Sequence, residues 1–190
     1  MKVTKAQAQA NRAHIVETAS ALFRERGYDG VSVADLMAAA GFTHGGFYKH
    51  FGSKADLITE AAACGFAQME ARIGNAERVA LIRQYLSREH RDTPGNGCTF
   101  ASLSADAARQ PEEVKQVFAD GIERALAKAM HGAAGEGEGA RQAARARRIN
   151  DLAHLVGAVM LSRACPDDSA LADEILESCC AAALLRVKEQ

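Results

Sequence analysis

The sequence contains no tryptophan, three prolines and only 5% aromatic residues. Strands draw on aromatic and β-branched side chains, so this shortage argues against a sheet protein. A charge excess is missing as well: 23 Lys and Arg stand against 24 Asp and Glu, a net charge of −1. That excludes a whole-chain polyelectrolyte binder but leaves room for a local basic patch. Apolar runs such as Leu155 to Leu161 fall far short of the roughly 20 residues that span a bilayer. Polar Met1 to Asn11 lacks the apolar centre of a signal peptide. The five cysteines are odd in number, and without an export signal they read as reduced thiols. The expectation is a soluble, cytoplasmic protein with no membrane partner.

What is present is abundant alanine and a 48% hydrophobic share, enough for a core and favourable to helices. Ile15, Ala19, Leu22 and Phe23 fall on one stripe, predicting a helix from Gln9 to Arg26 that Gly27 ends. Ser32 with Asp35 and Ser53 with Asp56 have the spacing of capping boxes. The first opens a short helix to Ala40 and the second a longer one after Gly52. Between them Gly41 breaks the chain, and Thr43 is expected to cap a short helix through His50. Further helices are predicted over 54–74, 77–90, 98–109, 112–131, 141–163 and 169–187, with Arg91 to Gly97 a loop and Gly132 to Gly139 a linker. Gly135, Gly137 and Gly139 follow no strand and do not keep GxGxxG spacing, so they are read as linker rather than a phosphate cradle. The fold class is all-α: an N-terminal three-helix helix-turn-helix domain, residues 1–54, followed by a helical ligand-binding and dimerisation domain, residues 55–190.

Charge divides unevenly between the two. Residues 1–58 hold seven basic against five acidic side chains, and the remainder 16 against 19. Two short helices around a glycine turn are the sign of a helix-turn-helix, whose second helix fits the major groove of DNA. In that second helix Phe47 and Phe51 lie four apart and should face the core, leaving Thr43, His44, Tyr48 and Lys49 outward. Gly45 and Gly46 each cost about 1 kcal/mol against Ala inside a helix, which close approach of a nucleic-acid backbone would explain.

The stretch ALFRERGYDGVSVADLMAAAGFTHGGFYKHFGSKADLI, within Ile15 to Ala61, resembles the DNA-binding domain of TetR/AcrR-type bacterial repressors. The resemblance implies an all-α homodimer with a DNA-reading front domain and a ligand-responsive rear domain. Carried over by position, Thr43, His44 and Gly45 would touch bases or adjacent phosphates. Tyr48, His50 and Lys54 would contact phosphate, and Lys49 phosphate or base. Ser32 is an N-cap that could also give its hydroxyl or helix-end amide to phosphate. Lys2, Lys5 and Arg12 form a basic arm that could add backbone or minor-groove contacts.

In the rear part, helices 141–163 and 169–187 carry apolar stripes wider than one buried face needs, which suggests a two-fold four-helix interface. Phe66, Met69, Tyr85 and Phe100 are candidate effector-site linings, together with Leu103, Phe118, Ile122 and Leu126, although such residues are more often core than pocket. Cys98 opens a helix after the Pro-Gly-Asn-Gly loop, where the helix dipole favours a thiolate, and a Gly-Cys here resembles a thiol-sensing subset of the family. It is either a sensor of electrophiles or oxidants or a small buried hydrophobe. No CxxC, HxxxH or HExxH occurs, so no metal site is expected, and no cofactor or catalysis is invoked. The reading is a dimeric, ligand- or redox-responsive repressor that leaves a palindromic operator on binding a small molecule or on Cys98 modification. A thiol redox enzyme, or a small-molecule binding protein that ignores DNA, is the alternative.

Overall fold

The structure is a computed structural model that describes residues 4–74, 76–129 and 137–188. Lys2 of the expected arm and 132–136 of the expected linker lie outside the described residues. Among the described residues every regular element is helical, as the composition predicts.

The chain folds as two compact units, Met1–Ala71 with Pro94–Phe118 and Arg72–Thr93 with Ala119–Gln190. This division differs from 1–54 and 55–190: the first unit takes in most of the fourth predicted helix and a distant segment. It contains α1 (Lys5–Arg26), α2 (Val33–Ala39), a 3-10 helix (His44–Lys49) and α3 (Lys54–Ile73) as far as Ala71. A second 3-10 turn (Pro94–Asn96) returns later in the chain, and Thr99–Ala107 forms a further helix in the same unit. Helix α1 starts four residues before the expected Gln9, because Thr4 accepts the Gln7 amide as an N-cap. Its first turns carry no apolar stripe for periodicity to detect.

Two buried arrangements tie the returning segment to the front helices. Arg24, 5% exposed, donates to the Gly95 carbonyl from Nε at 2.8 Å and Nη2 at 2.6 Å, and to Ser20 Oγ at 2.7 Å. The Tyr28 amide donates to Asp106 Oδ2 at 3.0 Å. Packing is tight where they meet. A Cβ on Gly65 would lie 2.6 Å from Thr99 Oγ1 and 2.7 Å from Arg24 Nη1, so α3 approaches this cluster only through a glycine.

The second unit holds α4 (Arg78–Tyr85) and α5 (Arg88–Asp92). The helix expected over 77–90 is therefore broken: Leu86 leaves helical geometry, and Ser87 restarts the helix by accepting the His90 amide at 3.2 Å. The expected 91–97 loop is correspondingly shorter, with α5 running to Asp92 and a 3-10 turn following. Numbered in chain order, Thr99–Ala107 is α6, and α7 (Glu112–Ala129) runs from the first unit into the second. Helices α8 (Glu138–Ala164) and α9 (Ala170–Lys188) complete the second unit. They pack through Ala158, Val159, Ala172 and Leu176, all buried, with Ser162 Oγ donating to the Ala172 carbonyl at 2.9 Å.

Arg91, 3% exposed, reaches the end of α8 and donates to the carbonyls of Ser162 and Cys165, each at 3.0 Å. These are carbonyls that a helix C-terminus leaves without intrahelical partners. Beside it, the His90 ring nitrogen Nδ1 lies 2.7 Å from the Tyr85 carbonyl. Burial lowers the His90 pKa, and Arg163 and Arg72 lower it further, outweighing the Tyr85 hydrogen bond.

Arg24→Met should lower stability by about 2 kcal/mol, because it strips the Gly95 carbonyl of both donors in a buried setting; urea denaturation checks this. A depressed His pKa means that the unfolded chain binds the proton more readily. The His90 contribution is therefore present above the ordinary value of about 6.5 and lost as pH falls through the folded value. Thermal melts between pH 7 and 5 should fall less steeply in His90→Asn than in the parent.

Candidate nucleic-acid interface

The front surface is built from two short helical pieces and the turn that joins them. Ser32 opens α2 with a full capping box: Ser32 Oγ accepts the Asp35 amide at 3.1 Å, and Asp35 Oδ2 accepts the Ser32 amide at 3.1 Å. The same hydroxyl donates to Asp35 Oδ2 at 2.6 Å, and these bonds lower the Asp35 pKa. The Ser32 hydroxyl thus already donates and accepts within the domain.

Helix α2 closes in a Schellman arrangement. The Phe42 amide donates to the Met37 carbonyl at 2.8 Å and the Gly41 amide to Ala38 at 3.0 Å, with Gly41 at φ +78°. Only glycine takes that left-handed position without strain. The chain is thereby turned into His44–Lys49, which is a 3-10 helix rather than the expected α-helix. Thr43 occupies its N-cap position without a side-chain cap bond, unlike Ser32 and Ser53. Gly45 and Gly46 have the weakest helix preference short of proline, and the segment stays in the tighter, poorer geometry.

Two rings hold this segment in place. Phe47 and Phe51 are 1% and 3% exposed with centroids 5.4 Å apart, facing the core as the spacing predicts. Thr43, His44, Gly45, Tyr48 and Lys49 are all exposed, and the Tyr48 ring is edge-on to His44 at 6.5 Å. Gly46 is half-buried. A Cβ at Gly45 would meet nothing within 4 Å and its φ is not positive, so nothing in the fold requires glycine there.

The basic residues counted in the sequence divide differently in space. Arg24 is buried. Arg12 belongs to α1, where it pairs with both carboxylate oxygens of Glu60 and lies 4.7 Å over the Phe51 ring. It also donates to the His50 carbonyl at 3.3 Å, so it is a strut of the domain and not part of an arm. Lys54 Nζ donates to the Tyr28 carbonyl at 2.6 Å. An ammonium has three donors, and two are left for another acceptor. Lys5, Arg26 and Lys49 are exposed, while His50 and Lys54 are half-buried.

Of the proposed effector linings, Phe66, Phe100 and Phe118 come together: Phe66 lies 4.7 Å from Phe100 and 5.1 Å from Phe118, and all are buried. Leu103 and Leu126 are buried, whereas Ile122 is 38% exposed. Tyr85 belongs to the second unit, its ring 4.5 Å from His90. Cys98 is 4% exposed with Sγ 3.7 Å from Met69 Sδ. All five cysteines are free thiols. Among the described residues no cluster of three His, Cys, Asp or Glu could hold a metal ion, and no helix is long and apolar enough to cross a membrane.

Residues 15–61, which span this interface, match the family described as bacterial regulatory proteins, tetR family. The chain carries a tetR-family domain. It is 38% identical over 74 residues to the HTH-type transcriptional regulator AcrR of Shigella flexneri, a match covering 39% of this chain and 33% of that protein. With the HTH-type transcriptional repressor DhaR of Mycobacterium sp. (strain GP1) it shares 28% over 110 residues, 55% and 56% of the two chains. The chain thus spans between a third and little more than half of these curated relatives. The fold extends further. A TetR transcriptional regulator from Chloroflexus aurantiacus superposes with a TM-score of 0.74 at 24% identity, covering 97% of this chain and 98% of that one. Each of these relatives bears the name of a transcriptional regulator or repressor.

Ser32→Ala should cost about 1 kcal/mol of stability through loss of the cap, while Ser32→Gly should cost only a few tenths. Chemical denaturation of the pair against the parent checks that order.

Proposed function

We propose that this protein is a homodimeric transcriptional regulator, a repressor that binds a palindromic operator and leaves it when a small molecule binds. The observation that carries the proposal is the exposed set Thr43, His44, Gly45, Tyr48 and Lys49 on a helix fixed from behind by Phe47 and Phe51, inside the segment that matches the tetR family. In this reading residues 1–54 contact DNA and 55–190 serve effector binding and dimerisation. Thr43, His44 and Gly45 meet bases or neighbouring phosphates, and the open space at Gly45 lets a backbone approach. Tyr48, His50, Lys49 and Lys54 hold phosphates, with the Ser32 end of α2 as a further anchor. Phosphate contacts set position, and base contacts set sequence.

Dimerisation is supported by what α8 and α9 leave uncovered. Ile149, Leu161, Leu171 and Leu185 are 46%, 62%, 54% and 59% exposed, a distribution that a partner's helices would cover. Two such domains roughly 34–36 Å apart would read successive major grooves. For release, the burial of Cys98 against Met69 favours the small molecule over thiol modification, because an electrophile reaches only an accessible thiolate. The same burial weighs against a thiol enzyme. Phe66, Met69, Phe100, Leu103 and Phe118 remain the candidate lining in the first unit. The effector would act by favouring a dimer whose recognition helices are wrongly spaced. The working compartment is the cytoplasm, where operator DNA is found.

Selection of a random duplex library by the purified protein should enrich a two-fold palindrome; no enrichment at low salt by a folded dimer would overturn the proposal. On the selected site, Tyr48→Ala should weaken binding to all sequences. Lys54→Ala should reduce the slope of log affinity against log salt by about 1. His44→Ala should change which bases are enriched.

A further inference from the structure

We propose that Arg78, Arg148 and Arg186 form a binding site for a compact dianion of the phosphate-monoester type, gathered around Asp151. Three helices of the second unit contribute. Arg78 opens α4, Arg148 and Asp151 lie one turn apart on α8, and Arg186 stands in the last turn of α9. Arg78 Nη2 reaches Asp151 Oδ2 at 2.8 Å. Arg148 Nη1 approaches the same oxygen at only 3.7 Å, and Arg186 Nε reaches Oδ1 at 3.3 Å. The cluster is partly open to solvent: Asp151 is 19% and Arg148 24% exposed, Arg78 34% and Arg186 38%.

Arg78 by itself balances Asp151. Arg148 and Arg186 are then two cations with no carboxylate of their own among the described residues. The Arg148 and Arg186 guanidinium groups each present five N–H donors in a fork that suits two oxygens, and each makes a single approach to Asp151. The Arg148 guanidinium is destabilised in its charged form by burial and by repulsion from Arg78, which the pull of Asp151 only partly offsets, with a smaller repulsion from Arg147. An added dianion would relieve that repulsion. A phosphate monoester carries about −1.5 to −2 charges at pH 7 and three acceptor oxygens, matching the two cations Arg148 and Arg186 and their forks. A monocarboxylate would neutralise only one of them. Because the site joins α4 to both α8 and α9, a ligand there would bear on how those helices pack. Its role as an effector anchor rests on the regulator reading; the anion binding does not.

The test is calorimetric titration of inorganic phosphate into the full-length protein, against sodium chloride at matched ionic strength. Saturable binding at one phosphate per chain is expected, weakened about tenfold in Arg148→Gln and in Arg186→Gln. No saturable heat above the chloride background, or unchanged affinity in both variants, would overturn the site. Were either variant unfolded by circular dichroism, the parent titration still decides. The measurement contains no DNA, so its failure leaves the operator reading standing, and failure of operator selection leaves this result intact.

Discussion

A guanidinium buried to 5% exposure must find acceptors for its N–H groups inside the protein, since a buried charge without hydrogen bonds is strongly unfavourable. Arg24 finds them on Gly95, Ser20 and Gln68, which lie far apart in the chain. The first unit is organised around that requirement. The Pro94–Asn96 turn has to lie against α1 for its carbonyl to be presented, and α3 has to pass close by, which only Gly65 permits. The three-helix front is therefore backed by a segment about seventy residues away in sequence, well beyond the reach of local propensity.

The outward face depends on that backing in a different way. Two capping boxes and a Schellman turn fix where α2 begins and ends and where α3 begins. The piece between them has little helical preference of its own. With Gly45 and Gly46 in a six-residue 3-10 helix, its position comes from Phe47 and Phe51 buried beneath it, at roughly 1.5–3 kcal/mol for each large apolar side chain. A surface held by its buried side keeps its exposed residues free to be chosen for a partner. His44, Tyr48 and Lys49 make no hydrogen bonds that the domain needs, whereas Arg12 and Lys54 are partly committed to it.

Both units use arginine as a structural donor more than as a surface charge. Arg24 and Arg91 are each almost wholly buried and each serves backbone carbonyls. Arg163 adds bonds to the carbonyls of His90 and Arg91. Such links are directional and well suited to fixing turns, because the planar fork serves two acceptors at once. Counting formal charge along the chain therefore overstated how much of the front's basic character reaches solvent.

Sequence by itself determined the features set by local chemistry. The all-helical class, the stripe of α1, the capping boxes at Ser32 and Ser53, the turn at Gly41 and the inward Phe47 and Phe51 all follow from neighbours a few residues apart. The outward Thr43, His44, Tyr48 and Lys49 followed from the same spacing. The early start of α1 escaped because its first turns are polar. The break at Leu86 has no glycine or proline to mark it, and only Ser87, capping the next helix, records it locally. Only the tertiary structure decided that Arg24 and Arg91 are internal struts and Arg12 a partly exposed one, that Cys98 is shielded beside Met69, and that Tyr85 lies against His90. Each of these depends on a contact between distant segments, and a side chain's burial or partner is a property of where those segments meet, which no local periodicity records.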